Sequence, residues 1–151
     1  EEVNNDFHAR FSAVSREYKY RITKNYSTIT RNYTTFLKWD IEPLILDECA
    51  NKLFGEHDFT SFCKATAEVE NKICFIYEAC WENTRKLITF RIRANRFLQH
   101  MVRYLVGTMI DVARGRYNVE DFSNLLEGND TDAVIVQAPA KGLILKKIMY
   151  D

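Results

Sequence analysis

The sequence predicts an α+β fold: an antiparallel sheet with helices packed on one face, close to the ferredoxin-like split β-α-β layout. Three observations lead there. Residues 15–22 and 87–94 alternate apolar and polar side chains with a period of two. Residues 95–114 repeat apolar side chains at steps of three and four. The chain has 151 residues, enough for one domain with a real core and too few for two. The predicted order is strand, helix, two strands, helix pair, strand.

Residues 1–11 are polar, then aromatic, and read as an arm or the tail of a linker. In 15–22, Tyr18, Tyr20 and Ile22 point one way and Lys19, Arg21 and Thr23 the other. A loop rich in Asn, Thr and Tyr spans 25–35, closed by Phe36, Leu37 and Trp39. Pro43 suits a first helical turn, with Glu42 and Asp47 near its positive end. Leu44, Ile45, Cys49, Leu53 and Phe54 supply that helix's apolar face, and Gly55 ends it. Residues 58–62 form a short apolar-polar knot, and 64–72 a polar loop.

Residues 73–81 alternate weakly, as a strand covered on both faces would. A turn at Asn83-Thr84 leads to 87–94, where Ile88, Phe90 and Ile92 face inward and Thr89, Arg91 and Arg93 outward. The sheet face away from the helices would then carry Lys19, Arg21, Arg91 and Arg93. These four are either a basic surface or ordinary solvated strand positions. A second helix is predicted over 119–126, ending at Gly128, and a last strand over 143–150, preceded by Pro139.

The long helix, expected over 95–114, has Leu98, Met101, Val102, Leu105, Val106, Met109 and Ala113 on its stripe. Arg103 breaks the pattern, lying about 120° from the centre of the stripe at ~100° per residue. Gly107 lies one turn further on. Glycine inside a helix costs ~1 kcal/mol relative to alanine, so something is expected to use the space it leaves. Arg103 either snorkels to water or holds a carboxylate or phosphate with its fixed fork of donors.

A hydrophobic fraction of 46% and a charged fraction of 28% are those of an ordinary soluble domain. The formal net charge is zero, which argues against a grip on nucleic acid by bulk charge and leaves room for a local basic patch. No apolar run approaches the ~20 residues a membrane span needs. No signal peptide opens the chain, and Glu1 stands where an initiator methionine would, so an excised piece of a longer protein is expected.

Cys49, Cys63, Cys74 and Cys80 form no Cys-x-x-Cys pair, and no two histidines stand at ligand spacing, so no zinc site is expected. Reduced, mostly buried cysteines in a cytosolic protein are the stronger reading, a disulfide scaffold the weaker. The glycines build no phosphate-cradling loop, and there is no Gly-x-Ser-x-Gly elbow. His8, His57 and His100 are isolated. Glu127, Asp130 and Asp132 form an acidic run that solvates a loop. Residue patterns alone give a soluble α+β domain with an odd arginine and a basic strand face, and no reaction.

Four stretches together resemble the tRNA pseudouridine synthase A family. They are Phe7-His8-Ala9-Arg10-Phe11-Ser12-Ala13 with Arg16-Glu17-Tyr18-Lys19-Tyr20; Gly55-Glu56-His57-Asp58-Phe59-Thr60-Ser61-Phe62; residues 95–107 with the core His100-Met101-Val102-Arg103; and Lys141-Gly142-Leu143. They stand in the family's order and spacing across nearly the whole chain, and cover only the family's C-terminal half. The resemblance implies an isomerase that converts uridine to pseudouridine in the tRNA anticodon stem-loop without metal or cofactor. It also implies a cytoplasmic homodimer whose cleft combines both subunits.

The family's nucleophile is an aspartate in an Arg-Thr-Asp-x-Gly motif of the preceding domain. The nearest match here, Asp130-Thr131-Asp132-Ala133-Val134, lacks the arginine and the glycine and is read as a decoy. The fragment is therefore expected to be inactive alone. By resemblance, Arg103 is the aspartate's ion-pair partner, and Tyr18 stacks on the target uracil and relays a proton. Leu143 packs on the base and excludes water, and Arg10 and the basic strand residues contact tRNA phosphates. Phe59 and Phe62 are read as packing before stacking. The arrangement requires Arg103, Tyr18 and Leu143 to converge on one open pocket. The alternatives are a non-catalytic RNA-binding ferredoxin-like domain and a purely structural or dimerisation domain.

Overall fold

The computed structural model describes residues 7–64, 66, 68–128 and 135–151. The acidic run at Asp130 and Asp132, and with it the Asp130-Thr131-Asp132 decoy, lies outside the described residues. In chain order the elements are β1 (Ala13–Thr23), β2 (Thr35–Phe36), α1 (Pro43–Lys52), β3 (Gly55–Asp58), β4 (Ile73–Asn83), β5 (Ile88–Ala94), α2 (Met101–Ala113), α3 (Val119–Leu126) and β6 (Leu143–Tyr150). The six strands form one sheet in the order β2-β1-β5-β4-β3. Strand β6 pairs with β1 over Ala13 to Tyr20, and β2 continues beside Ile22 and Thr23. The α+β class holds. The sheet is mixed rather than purely antiparallel, because β2 runs parallel to β1.

The alternation expected in β1 and β5 sets the core. Tyr20, Ile22, Phe90 and Ile92 are fully buried beneath the helices, and Ile88 nearly so. Each such apolar side chain contributes roughly 1.5–3 kcal/mol by leaving water. On the other face Glu17 pairs with Arg93, and Lys19 with Arg91. Strand β4 alternates weakly for a different reason than coverage on both faces. Ile76 pairs with Ala94 and Glu78 with Arg93, which leaves Tyr77 as an extra, bulged residue. The inward set therefore switches from Cys74 and Ile76 to Ala79 and Trp81, and a single-period reading averages the two halves away.

Helix α1 buries Leu46, Cys49, Ala50 and Leu53 and leaves Leu44 and Phe54 exposed, a rotation of the face expected from sequence. It packs on β4, α2 and α3. Gly55 does take a left-handed conformation (φ 98) just beyond the helix, and leads directly into β3. Phe59 and Phe62 are fully buried, as packing residues.

Helix α2 begins at Met101, not at Asn95. The cause lies in the sheet. Asn95 donates its N–H to the Phe75 carbonyl at 3.1 Å, and its Oδ1 accepts from the Phe75 N–H at 2.9 Å. With its backbone and side chain committed to β4, Asn95 prolongs the strand, and residues 96–100 turn the chain. From Leu105 to Ala113 every side chain is buried, because α1, α3 and residues 135–138 enclose the helix beyond its sheet-facing stripe. Even Asp111 is buried, held by Arg114 at 3.5 Å and Arg116 at 3.3 Å. Helix α3 matches its expected span. Asn118 and Asp121 close a reciprocal capping box at its start, and Gly128 (φ 70) follows its end.

All four cysteines are free thiols. Burial is the main cause that pushes Cys49 up to about 12 and Cys74 up to about 11. Both are neutral thiols at pH 8, and only the thiolate attacks. A disulfide-exchange reagent at pH 8 is therefore expected to leave Cys49 and Cys74 unlabelled in the native protein and to label both in denaturant. Native labelling at the rate of a free thiol would show that these sites open to solvent.

Candidate active site

An open cleft of about 1060 Å³ lies at the end of the sheet where β1 begins and β5 ends. Its walls come from the arm (Arg10, Phe11), β1 (Arg16, Tyr18), the turn before α2 (Asn95, Arg96, Phe97, His100) and the loop around Glu68. Three arginines against one carboxylate make it a cationic site in a chain of zero net charge.

The arm is not a free linker. Tyr150 donates to the Ala9 carbonyl at 2.8 Å, and Phe7 packs on Tyr150 with ring centroids 4.9 Å apart. Arg16 fastens the arm to the turn: its guanidinium donates to the Ala13 carbonyl at 2.9 Å, to the Asn95 carbonyl at 2.7 Å and to the Arg10 carbonyl. Those bonds hold Arg10 and Phe11 on the cleft wall.

Tyr18 shares a sheet face with Tyr20, two residues nearer the strand's open end. Its ring meets the edge of Phe97 at 5.1 Å and 88°. Its hydroxyl makes no hydrogen bond to another described residue. A half-buried aromatic ring with an unengaged hydroxyl on a cationic cleft is suited to stack on a base and exchange a proton with it.

Arg103 stands just behind this wall. Its Nε donates to the Ala138 carbonyl at 2.7 Å, and its own carbonyl accepts from the Ala138 N–H at 3.0 Å. One terminal nitrogen lies 3.3 Å from Nδ1 of His100, which lines the cleft. The guanidinium forms no ion pair with a carboxylate among the described residues.

Gly107 supplies the room for this arrangement. A Cβ there would sit 1.9 Å from the Val136 carbonyl oxygen and 3.1 Å from the Ala138 nitrogen. The next residues bind to β1. Tyr20 donates to the Pro139 carbonyl at 2.7 Å and meets Thr35 Oγ1 at 2.7 Å. Burial pushes the Tyr20 phenol up, partly offset by the Thr35 bond and the nearby Arg103 charge.

The cleft wall thus brings together Tyr18 and Arg10 of the residues expected from sequence. Arg103 and Leu143 stand outside its lining, so the expected convergence of Arg103, Tyr18 and Leu143 on one open pocket is not met: Arg103 is drawn behind the wall by Ala138, and Leu143 stands beside Tyr20, further along β1. Leu143 pairs with Tyr20 across β1, half-buried on the same sheet face as Tyr18. The basic strand face is only half what the sequence promised. Arg91 pairs with Glu78 at 2.6 Å and Glu82 at 3.6 Å, and Arg93 pairs with Glu78 at 3.7 Å. Lys19 and Arg21 remain without a carboxylate among the described residues. Arg16, Arg96, Phe97 and His100 were not singled out as cleft residues. Arg16 lies two residues before Tyr18 and so shares its strand face, unlike Lys19 and Arg21, a period-two signal that the sequence carried, and the other three stand in what reads as helix. Among the described residues no cluster of three His, Cys, Asp or Glu is placed to hold a metal ion, and no helix is long and apolar enough to cross a membrane.

A family model described as tRNA pseudouridine synthase matches residues 49–151, which include Arg103, Gly107, Ala138 and Leu143. The chain belongs to the tRNA pseudouridine synthase family. Relatives named tRNA pseudouridine synthase A extend the match through the N-terminal residues. The one from Bacillus pumilus is 37% identical over 100% of this chain and 62% of its own length. That of Chlorobium limicola is 41% identical over 96% of this chain and 60% of its own length. That of Bacillus subtilis is 37% identical over 99% and 61%. The chain thus spans about 60% of the length of these pseudouridine synthases.

Gly107→Ala is expected to destabilise the protein by about 1–3 kcal/mol through overpacking, although alanine favours a helix by ~1 kcal/mol. It should also loosen Ala138 from Arg103. Denaturant melts measure the first effect, and faster solvent exchange of the Arg103 Nε proton measures the second. A variant as stable as the parent would show that residues 136–138 do not seat over the glycine.

Proposed function

We propose that this chain is the C-terminal, uridine-binding part of a tRNA pseudouridine synthase, and that its catalytic aspartate comes from a segment outside these 151 residues. The observation that carries the reading is Arg103. Two of its N–H groups are engaged, by Ala138 and His100, while three remain for a carboxylate, next to a cleft of arginines and aromatic rings. The family membership supports the same reading.

The reaction breaks uridine's bond between N1 and C1′, turns the base and rejoins it through C5. A proton leaves C5 and N1 gains one, so the product is an isomer. A cation within ~4–6 Å lowers a carboxylate pKa by about 1–3 units. Arg103 thereby keeps the aspartate ionised, and its planar fork sets the orientation. Tyr18 stacks on the uracil and passes the proton. Leu143 covers the base on the sheet side and keeps water out. Arg10, with Arg16 and Arg96, holds phosphates, contacts that position the RNA without reading its sequence. The substrate is the tRNA anticodon stem-loop, and extruding a stacked uridine costs a few kcal/mol. The working enzyme is a cytoplasmic homodimer and needs no metal or cofactor.

In the protein produced at the length of its relatives, Arg103→Ala is expected to lower tritium release from C5-tritiated uridine in tRNA by on the order of 10²-fold or more. Tyr18→Phe should slow it severely while the thermal melt stays at the parental value. Parental rates in either variant would remove that residue from the mechanism. Undiminished tRNA binding with no tritium release even by the parent would favour the RNA-binding reading, to which the arginine-lined cleft also answers.

A further inference from the structure

Among the described residues, His100 is the one non-glycine residue with a left-handed backbone, at φ 64 and ψ 2. A side chain with a Cβ costs ~1–2 kcal/mol there, and such strain persists where the surroundings over-determine it. Helix capping does not account for it, because the His100 side chain makes no cap hydrogen bond to α2. What the position does is place one ring at two sites. The imidazole lines the cleft and its Nδ1 lies 3.3 Å from the Arg103 guanidinium.

The chemistry of that contact fixes the roles. A guanidinium has only donors, so in this contact Nδ1 is the acceptor. Arg103 is then held from two sides, by the Ala138 carbonyl at Nε and by His100 at a terminal nitrogen. A flexible arginine with one anchor can pivot about it. Two anchors leave the guanidinium plane a single setting, with its remaining N–H groups pointing in a fixed direction.

We propose that His100 is a positioning residue that holds the Arg103 guanidinium in the orientation at which it meets the catalytic carboxylate. This rests on the assignment of Arg103 as the carboxylate's partner. The backbone strain at His100 is the cost of placing an acceptor at that spot.

Three variants in the protein at its relatives' length test this. His100→Gly relieves the strain and removes the acceptor. It should keep or raise the melting temperature while lowering kcat by about tenfold to a hundredfold, with KM for tRNA within about twofold. His100→Asn tolerates the left-handed backbone and offers Oδ1 as an acceptor, and should recover kcat to within about threefold of the parent. In an Arg103→Ala background, His100→Gly should cost nothing further, because the group it positions is gone. Parental kcat in His100→Gly, no recovery in His100→Asn, or a loss confined to KM would each overturn the proposal. Arg103→Ala separates the two claims. If it abolishes turnover while His100→Gly does not slow it, only the positioning role fails. If Arg103→Ala turns over at the parental rate, both fall.

Discussion

The passage of residues 136–138 across Gly107 is the constraint on which the site depends. Backbone can come this close to a helix only where no Cβ intervenes, and here a Cβ would sit 1.9 Å from the Val136 oxygen. The close approach allows Ala138 and Arg103 to exchange two hydrogen bonds, one of them from the charged guanidinium. Bonds to charged groups contribute ~1.5–3 kcal/mol each, more than a neutral pair. Immediately afterwards Pro139 accepts from Tyr20, and the Tyr20 ring lies where a Cβ on Gly142 would be, 2.7 Å from Cζ. Two missing methyl groups, at 107 and 142, let one short segment join the central helix to the central strand.

That junction has a consequence for charge. Arg103 is partly buried between residues 136–138, the helix and His100, yet it forms no ion pair among the described residues. A partly buried guanidinium with spare donors favours any carboxylate brought to it, and favours it in the ionised form. By contrast Arg91 and Arg93, on the open sheet face, are spent on Glu78 and Glu82. Of the open sheet face only Lys19 and Arg21 keep their charge unpaired among the described residues, while the sheet end gathers Arg10, Arg16 and Arg96 around one cleft. A net charge of zero conceals that unequal distribution.

The cleft itself is assembled by Arg16 and Asn95. Arg16 binds carbonyls of the arm and of the turn before α2, and Asn95 ties that turn to β4. The backbone bonds made by these two side chains therefore decide where Tyr18, Phe97 and His100 stand. The geometry of the cleft floor and the geometry of Arg103 meet at the His100 ring.

Much of this architecture was legible in the residues. Period-two alternation placed β1 and β5, because one face of each meets the core and periodicity records that directly. The interior Gly107 announced a close approach before its partner was known, and Arg103 stood out as a cation on an apolar helix. Other features had no local signature. The bulge at Tyr77 shifts the inward set in mid-strand, the start of α2 is delayed by bonds from Asn95 to a distant strand, and β2 and β3 are edges too short to show a period. The local pattern of apolar residues determined the class of fold and its main elements, since burial of a face acts on neighbours in sequence. Tertiary structure alone decided which arginines are free, which rings share a cleft and where Arg103 points, since those depend on groups brought together from separate elements, as Glu78 is brought to Arg91 and Ala138 to Arg103.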